Sequence, residues 1–353
     1  MSSKIFLLSD IHFGIRQNSV DWLKIHKDYF ENFFIPNIKS KYQKGDILFI
    51  LGDIFDNRNN VNVLIQNYVI KIFKKLQSIL PVYILVGNHD IYFKHTNDIN
   101  SIKILEPYVE KIFTKVNIFN FEGHSILIMP WVEELEDEKK LFETYNNKCD
   151  YVFAHTEFKG LKHNKYSTIE NGIDITNDLN YERYFSGHIH TRQQTDKIVY
   201  TGNPFHMSRN DVNTKKGIYI FTPEDNKYEF IVNDHSPKYI RKSVTQIAEM
   251  TVEEFENTIR NNFVDIIIPM EMSSHLTYNN FHHFKNIAKL INLEIQDTYN
   301  LKIVDTEIDN EDINNFNIDT LLSDYINTQN FSTDKKTKIL NKIKELKERT
   351  VLE

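Results

Sequence analysis

The chain has 353 residues, 41% hydrophobic and 26% charged, the balance of a soluble globular protein and enough for two or three domains. Its formal net charge of −7 counts against a surface that grips nucleic acid all over, while leaving room for a locally cationic site. The single cysteine, Cys149, excludes an internal disulfide and a cysteine zinc site. With no apolar stretch near the ~20 residues of a membrane span, it points to a cytoplasmic protein.

In chain order, Ile5–Leu8 reads as a buried strand, followed by a helix near Trp22–Lys39. A strand is predicted over Asp46–Leu51, a helix over Val61–Leu80 and a strand over Val82–Val86. Strand–helix–strand spacing of this kind implies parallel strands joined by right-handed crossovers. Further strands are expected at Ser125–Met129, Tyr151–Ala154, Tyr184–Phe185, Ile198–Tyr200 and Gly217–Phe221. Several are linked too tightly for helices, so a second, mixed sheet is expected. A domain boundary is placed at Asn233–Pro237. Beyond it, strands Tyr239–Val244, Val264–Met270 and Leu301–Ile308 alternate with helices Val252–Asn261 and Tyr278–Leu290, a small α+β domain. After the acidic stretch Asp309–Asn317 come two amphipathic helices, about Ile318–Ile326 and Thr333–Arg349, too small to be stable alone.

Four polar clusters each follow an apolar strand: Asp10-Ile11-His12, Gly52-Asp53-Ile54-Phe55-Asp56, Gly87-Asn88-His89-Asp90 and Gly187-His188-Ile189-His190. His155 directly follows Tyr151–Ala154. In open α/β sheets the carboxyl ends of strands line one crevice. These strand ends are therefore expected to aim Asp10, His12, Asp53, Asn88, His155, His188 and His190 into a shared volume. Carboxylate, amide and imidazole groups without thiolate suit Mn, Fe or Zn, and Mn best. Two cations about 3.5–4 Å apart can clamp a phosphate through in-line displacement. One carboxylate must then bridge them, and Asp53, behind a glycine that permits close approach, is the candidate.

The motifs DIH, GDIFD, GNHD and SGHIH resemble those of the calcineurin-like metallophosphoesterase superfamily. Their order and spacing resemble its SbcD-type double-strand-break repair nucleases. Through IMPW (Ile128–Trp131) and YTGNP (Tyr200–Pro204), the chain is also similar to the recombination endonuclease subunits of large tailed phages. The resemblance covers residues 1–235, and more weakly the rest, where LLSDYIN (Leu321–Asn327) carries it. It implies a two-sheet α/β/β/α sandwich (1–235), a capping domain that guides DNA (236–310) and a helical segment that docks on the coiled coil of an SbcC-type ATPase (311–353). It implies one divalent ion on Asp10, His12, Asp53 and His190, and a second on Asp53, Asn88, His155 and His188, Mn2+ ahead of Mg2+. His89 would then stabilise the transferring phosphoryl group or protonate the leaving oxygen, with Asp90 orienting its ring. A homodimer through helices of the first domain is expected. Asp56 departs from the pattern, because some of these repair nucleases carry there a histidine that helps bind DNA.

Other features read as ordinary. His124, His163, His206, His235, His275, His282 and His283 lack strand-end context. Lys159, Lys162 and Lys165 read as a solvated loop, Arg58 as an exposed or phosphate-contacting residue, and Phe13 and Tyr92 as core or base-stacking aromatics. Asn57-Arg58 and GNHD depart from the GDxxDRG and GNHE of the superfamily's protein phosphatases. The expected function is a metal-dependent DNA exonuclease/endonuclease subunit, with a stand-alone phosphodiesterase or a non-catalytic scaffold as alternatives.

Overall fold

The computed structural model describes residues 2–175, 179–243, 246, 249–260, 262–267 and 336–337. The chain divides into two units, Met1–Ile266 with Tyr278–Tyr299 and Ile267–Thr277 with Asn300–Glu353, and the features below belong to the first, save for Ile267 at the end of its last strand. The expected elements Tyr278–Leu290, Leu301–Ile308, Ile318–Ile326 and Thr333–Arg349 lie outside the described residues, save for Lys336 and Thr337.

Strands β1 (Ile5–Leu8), β2 (Ile47–Ile50), β3 (Val82–Leu85) and β4 (Lys111–Phe113) run parallel in one sheet. A second sheet holds β5 (Asn117–Phe121), β6 (His124–Met129), β7 (Tyr151–His155), β8 (Arg183–Gly187), β9 (Gln193–Gln194) and β10 (Ile198–Tyr200). There β6, β7, β8 and β10 are parallel, while β5 and β9 close the edges antiparallel. The chain then returns through β11 (Gly217–Thr222) and β12 (Lys227–Val232), which add antiparallel to the free side of β1. The second sheet is mixed, as expected, and the first is mixed as well, because Gly217–Thr222 joins β1 rather than the second sheet.

Continuous apolar strands are required because both faces of each sheet are covered. Side chains alternate along a strand, so Ile5 and Leu7 meet Phe49, Leu51, Phe153, Phe185 and Phe221 between the sheets. Phe6 and Leu8 point the other way, onto Trp22, Leu23, Ile65, Val69 and Phe73 of helices Val20–Asp28 and Val63–Gln77. On the far side, Leu127, Val152, Ala154 and Tyr184 pack against Phe142 of helix Leu135–Tyr145. The result is the α/β/β/α sandwich, with each fully buried large apolar side chain contributing about 1.5–3 kcal/mol.

The structure departs from the predicted elements in two places. The helix expected near Trp22–Lys39 is an α-helix, Val20–Asp28, a π-helical stretch, Tyr29–Phe34, and a second α-helix, Ile35–Lys41. Pro36, at the start of the last piece, has no N–H to donate, and the Ile35 N–H reaches back five residues to the Phe30 carbonyl. Strands Lys111–Phe113, Asn117–Phe121 and Lys227–Val232 are short or at sheet edges, where half-exposed polar residues hide the apolar signal. Past the expected boundary, β13 (Tyr239–Ser243) pairs with β14 (Phe263–Ile267). Phe263 lies between Trp22 and Tyr239, its ring stacked 5.5 Å from the first and 4.7 Å from the second. Among the described residues no helix is long and apolar enough to cross a membrane.

Candidate metal centre

The loops that leave β1 and β2 continue side by side past the ends of those strands. The amide of Asp10 donates to the Gly52 carbonyl (3.1 Å), and that of His12 to the Asp53 carbonyl (3.1 Å). This ladder sets Asp10 and Asp53 on neighbouring turns, while the ends of β3, β7 and β8 bring in Asn88, His155 and His188. The turns are tight enough that Asp10, His12, Asp53 and His188 adopt left-handed backbone, with φ of 52°, 50°, 55° and 77°. Such backbone costs a non-glycine residue about 1–2 kcal/mol and collects at functional sites. The strand ends crowd so closely that a Cβ on Gly87 would overlap the Asp53 carboxylate and backbone.

All seven expected residues meet, in two overlapping groups. Asp10, His12 and His190 present ligand atoms within 4.8 Å of one another, and so do Asp53, His155 and His188. His12 Nε2 lies 2.9 Å from His190 Nε2 and 3.6 Å from Asp53 Oδ2. The same Asp53 oxygen is 3.4 Å from His155 Nε2, so Asp53 stands between the groups. Asn88 Oδ1 completes the second group, 2.9 Å from both His155 Nε2 and His188 Nδ1.

The donor set fits a cation. His155 Nδ1 donates to the Leu51 carbonyl at 2.7 Å, so in the neutral ring Nε2 carries only a lone pair. That lone pair faces an amide oxygen and a carboxylate oxygen, both of which only accept. Three converging acceptors in a buried site need a positive charge at their focus. His12 Nδ1, the ring nitrogen opposite the one that faces His190 and Asp53, is buried without a hydrogen-bond partner, 3.6 Å from Asp56 Oδ1. Burial depresses the His12 pKa well below its usual value, with Asp53 opposing and the neighbouring imidazoles adding to the fall. Burial alone would lower the His155 pKa as well, but the Asp53 charge and hydrogen bond outweigh it and raise it, the same pull on positive charge that a cation would answer.

The two remaining expected residues differ in outcome. His89 lies beside the centre, its ring 4.8 Å from that of His12, and its amide donates to Asp53 Oδ1 at 2.9 Å. Asp90 does not orient it, which corrects the sequence expectation. His89 Nδ1 donates to the Asp56 carbonyl (2.8 Å), while the Asp90 carboxylate is buried and accepts four backbone N–H groups. These come from Asp53 (2.9 Å), Ile54 (3.0 Å), Phe55 (3.3 Å) and Gly87 (3.0 Å). Asp90 therefore ties two site loops together. An acceptor is required there because those amides have left the strand ladder and are buried.

Sequence reasoning missed several contributors. Glu157 Oε1 is 2.9 Å from His188 Nε2, and a carboxylate two residues past a candidate ligand was the available signal. His26 faces the Ile11 carbonyl through Nε2 at 2.9 Å and so braces the loop between Asp10 and His12. Trp131 lays its ring 4.9 Å from that of His188. Buried Lys216 donates to the His190 carbonyl at 2.7 Å and pairs with Asp211 at 2.6 Å. Asp56, with His12 and His89, makes a third candidate group. Phe13 is fully buried and belongs to the core, whereas Tyr92 is exposed.

The fold and this centre define a class. A calcineurin-like phosphoesterase profile matches residues 3–192, more than half of the chain, and the chain belongs to that family, whose members bind divalent metals. Among its relatives, exonuclease subunit 1 of Enterobacteria phage T4 is 24% identical over 339 residues, covering 92% of each chain. The DNA double-strand break repair protein Mre11 of Methanocaldococcus jannaschii is 28% identical over 363 residues, covering 93% of this chain and 91% of its own. The putative phosphoesterase 244L of Invertebrate iridescent virus 6 is 26% identical over 207 residues, covering 57% of this chain and 69% of its own.

Proposed function

We propose that this chain is the nuclease subunit of a DNA recombination and double-strand-break repair complex, hydrolysing phosphodiesters with two divalent cations, Mn2+ the preferred pair. The observation that carries the reading is the convergence of acceptor atoms around Asp53 Oδ2, with His12 and His190 on one side and His155, Asn88 and His188 on the other. Asp10, His12, Asp53 and His190 would hold one cation, and Asp53, Asn88, His155 and His188 the other. Bound there, the cations neutralise phosphate charge and lower the pKa of water. His89 donates through Nδ1 to the Asp56 carbonyl, so Nε2 is the nitrogen that would serve the leaving oxygen, and the imidazolium form of the ring carries there the proton to be transferred. Asp90 serves the same site by holding the loop that presents Asp53.

DNA as the substrate is supported by the two nuclease relatives, which match over more than nine-tenths of this chain. On this reading residues 236–310 guide DNA, and residues 311–353 dock on the coiled coil of an SbcC-type ATPase in the cytoplasm. A homodimer through helix Val63–Gln77 is supported by Val63 and Leu64, which are 69% and 52% exposed at its start. The test is to assay the purified protein on linear DNA and on bis-p-nitrophenyl phosphate, with Mn2+ or Mg2+ and with or without the ATPase. Metal-dependent DNA cleavage is expected. Cleavage of the small ester but never of DNA would mark a stand-alone phosphodiesterase, and silence on both with no metal uptake would mark a scaffold.

A further inference from the structure

We propose that Glu157 is the positioning residue for His188: it keeps the ring proton on Nε2 and so makes Nδ1 the nitrogen offered to the cation shared with Asp53, Asn88 and His155. This deepens the metal reading above and rests on it. Glu157 follows β7 by two residues, and its Oε1 lies 2.9 Å from His188 Nε2. A carboxylate oxygen only accepts, so Nε2 must be the protonated nitrogen. The neutral ring then carries its lone pair on Nδ1, the atom 2.9 Å from Asn88 Oδ1.

Three separate segments hold this one residue. The His188 amide donates to Asp10 Oδ1 at 3.0 Å, which fixes the backbone. Trp131 covers one face of the ring at 4.9 Å and 35°. Glu157 bonds Nε2 and so selects the tautomer, while Asn88 Oδ1 faces the other ring nitrogen. Its counterpart for His155 is a backbone carbonyl, that of Leu51. A carboxylate brace carries full negative charge and raises the basicity of the opposite nitrogen more than a carbonyl does. With a side chain 33% exposed against 15% for His188, Glu157 can be changed without opening the core.

Two measurements on the full-length protein decide the matter. Nitrogen-15 spectra of the metal-free protein should show His188 protonated at Nε2, and Glu157→Ala should release it to a mixture of tautomers. In calorimetric titration with Mn2+, Glu157→Ala should weaken one of the two binding events by about 10–100-fold and leave the other unchanged. Glu157→Gln keeps an acceptor oxygen and should recover most of that affinity. The proposal is overturned if Ala changes neither event, if both weaken equally, if Gln falls as far as Ala, or if the wild-type ring is protonated at Nδ1. Absence of any Mn2+ uptake by the wild type would instead defeat the metal reading. The nitrogen spectra would still decide what Glu157 does to the ring.

Discussion

Replacing Gly87 with alanine should disable the metal centre while leaving the sandwich folded. The added Cβ would lie 2.5 Å from the Asp53 amide nitrogen and 2.9 Å from His155 Cε1, against an ordinary contact of 3.4 Å or more. The Asp53 backbone would have to retreat by about 0.9 Å (3.4 against 2.5 Å). It has nowhere to go. Its amide is tied to Asp90 at 2.9 Å and its carboxylate accepts from the His89 amide at 2.9 Å. Metal and catalytic constellations tolerate displacements of about 0.5 Å, and a 1 Å error costs on the order of 10²-fold in rate. Phosphodiester hydrolysis should therefore fall by about 10²-fold or more, and Mn2+ titration should show both binding events weakened, because Asp53 serves both. Overpacking of this kind costs about 1–3 kcal/mol, or roughly 2–12 °C of melting temperature. Gly123→Ala is the control. No atom lies within 4 Å of its Cβ position, so only the strain of its φ of +86°, about 1–2 kcal/mol, applies and metal binding should be untouched. A Gly87→Ala protein that binds two Mn2+ with wild-type affinity would refute the reasoning from crowding.

His89→Ala should retain its metal while hydrolysis drops by about 10²–10⁴-fold, because a proton donor is lost and no ligand is; loss of metal on elemental analysis would make His89 a ligand. The Glu138 carboxyl is almost fully buried and carries an oxygen with no partner. Burial, helped by the Glu157 charge and opposed by Thr156 and His155, pushes its pKa from 4.5 up to about 8. A folded-state pKa above the unfolded one means stability is intact below about 4.5 and is lost as pH rises through about 8. Glu138→Gln should flatten that slope and be the more stable protein at pH 9 by up to about 5 kcal/mol, and parallel denaturation curves from pH 5 to 9 would contradict this. Truncation near Asp309 should spare Mn2+ binding and abolish association with the ATPase, read by co-elution of the two chains.

Much of the two-sheet fold was legible in the sequence. Short unbroken apolar runs such as Ile5–Leu8 and Tyr151–Ala154, too short for buried helices, read as strands covered on both faces, and parallel strands leave their carboxyl ends on one side. Polar residues placed just past those ends therefore had to meet, and Asp10, Asp53, Asn88, His155 and His188 do. Periodicity was silent where strands are short or border solvent, as at Lys111–Phe113 and Asn117–Phe121, since half-exposed positions carry polar and apolar residues alike.

Which nitrogen of each imidazole faces the centre was decided only by the tertiary structure. A histidine has two inequivalent ring atoms, and the partner of the second one selects between them: the Leu51 carbonyl for His155, the Glu157 carboxylate for His188 and the Asp56 carbonyl for His89. Those partners sit 104, 31 and 33 residues away along the chain, on loops whose conformation depends on the packing beneath them. Asp90 makes the same point. Its sequence neighbour suggested a role beside His89, yet its carboxylate is taken by four buried amides that lie past the strand ends. Composition and spacing determine which side chains arrive at a site. The orientation they take there is settled by the unsatisfied backbone groups they find.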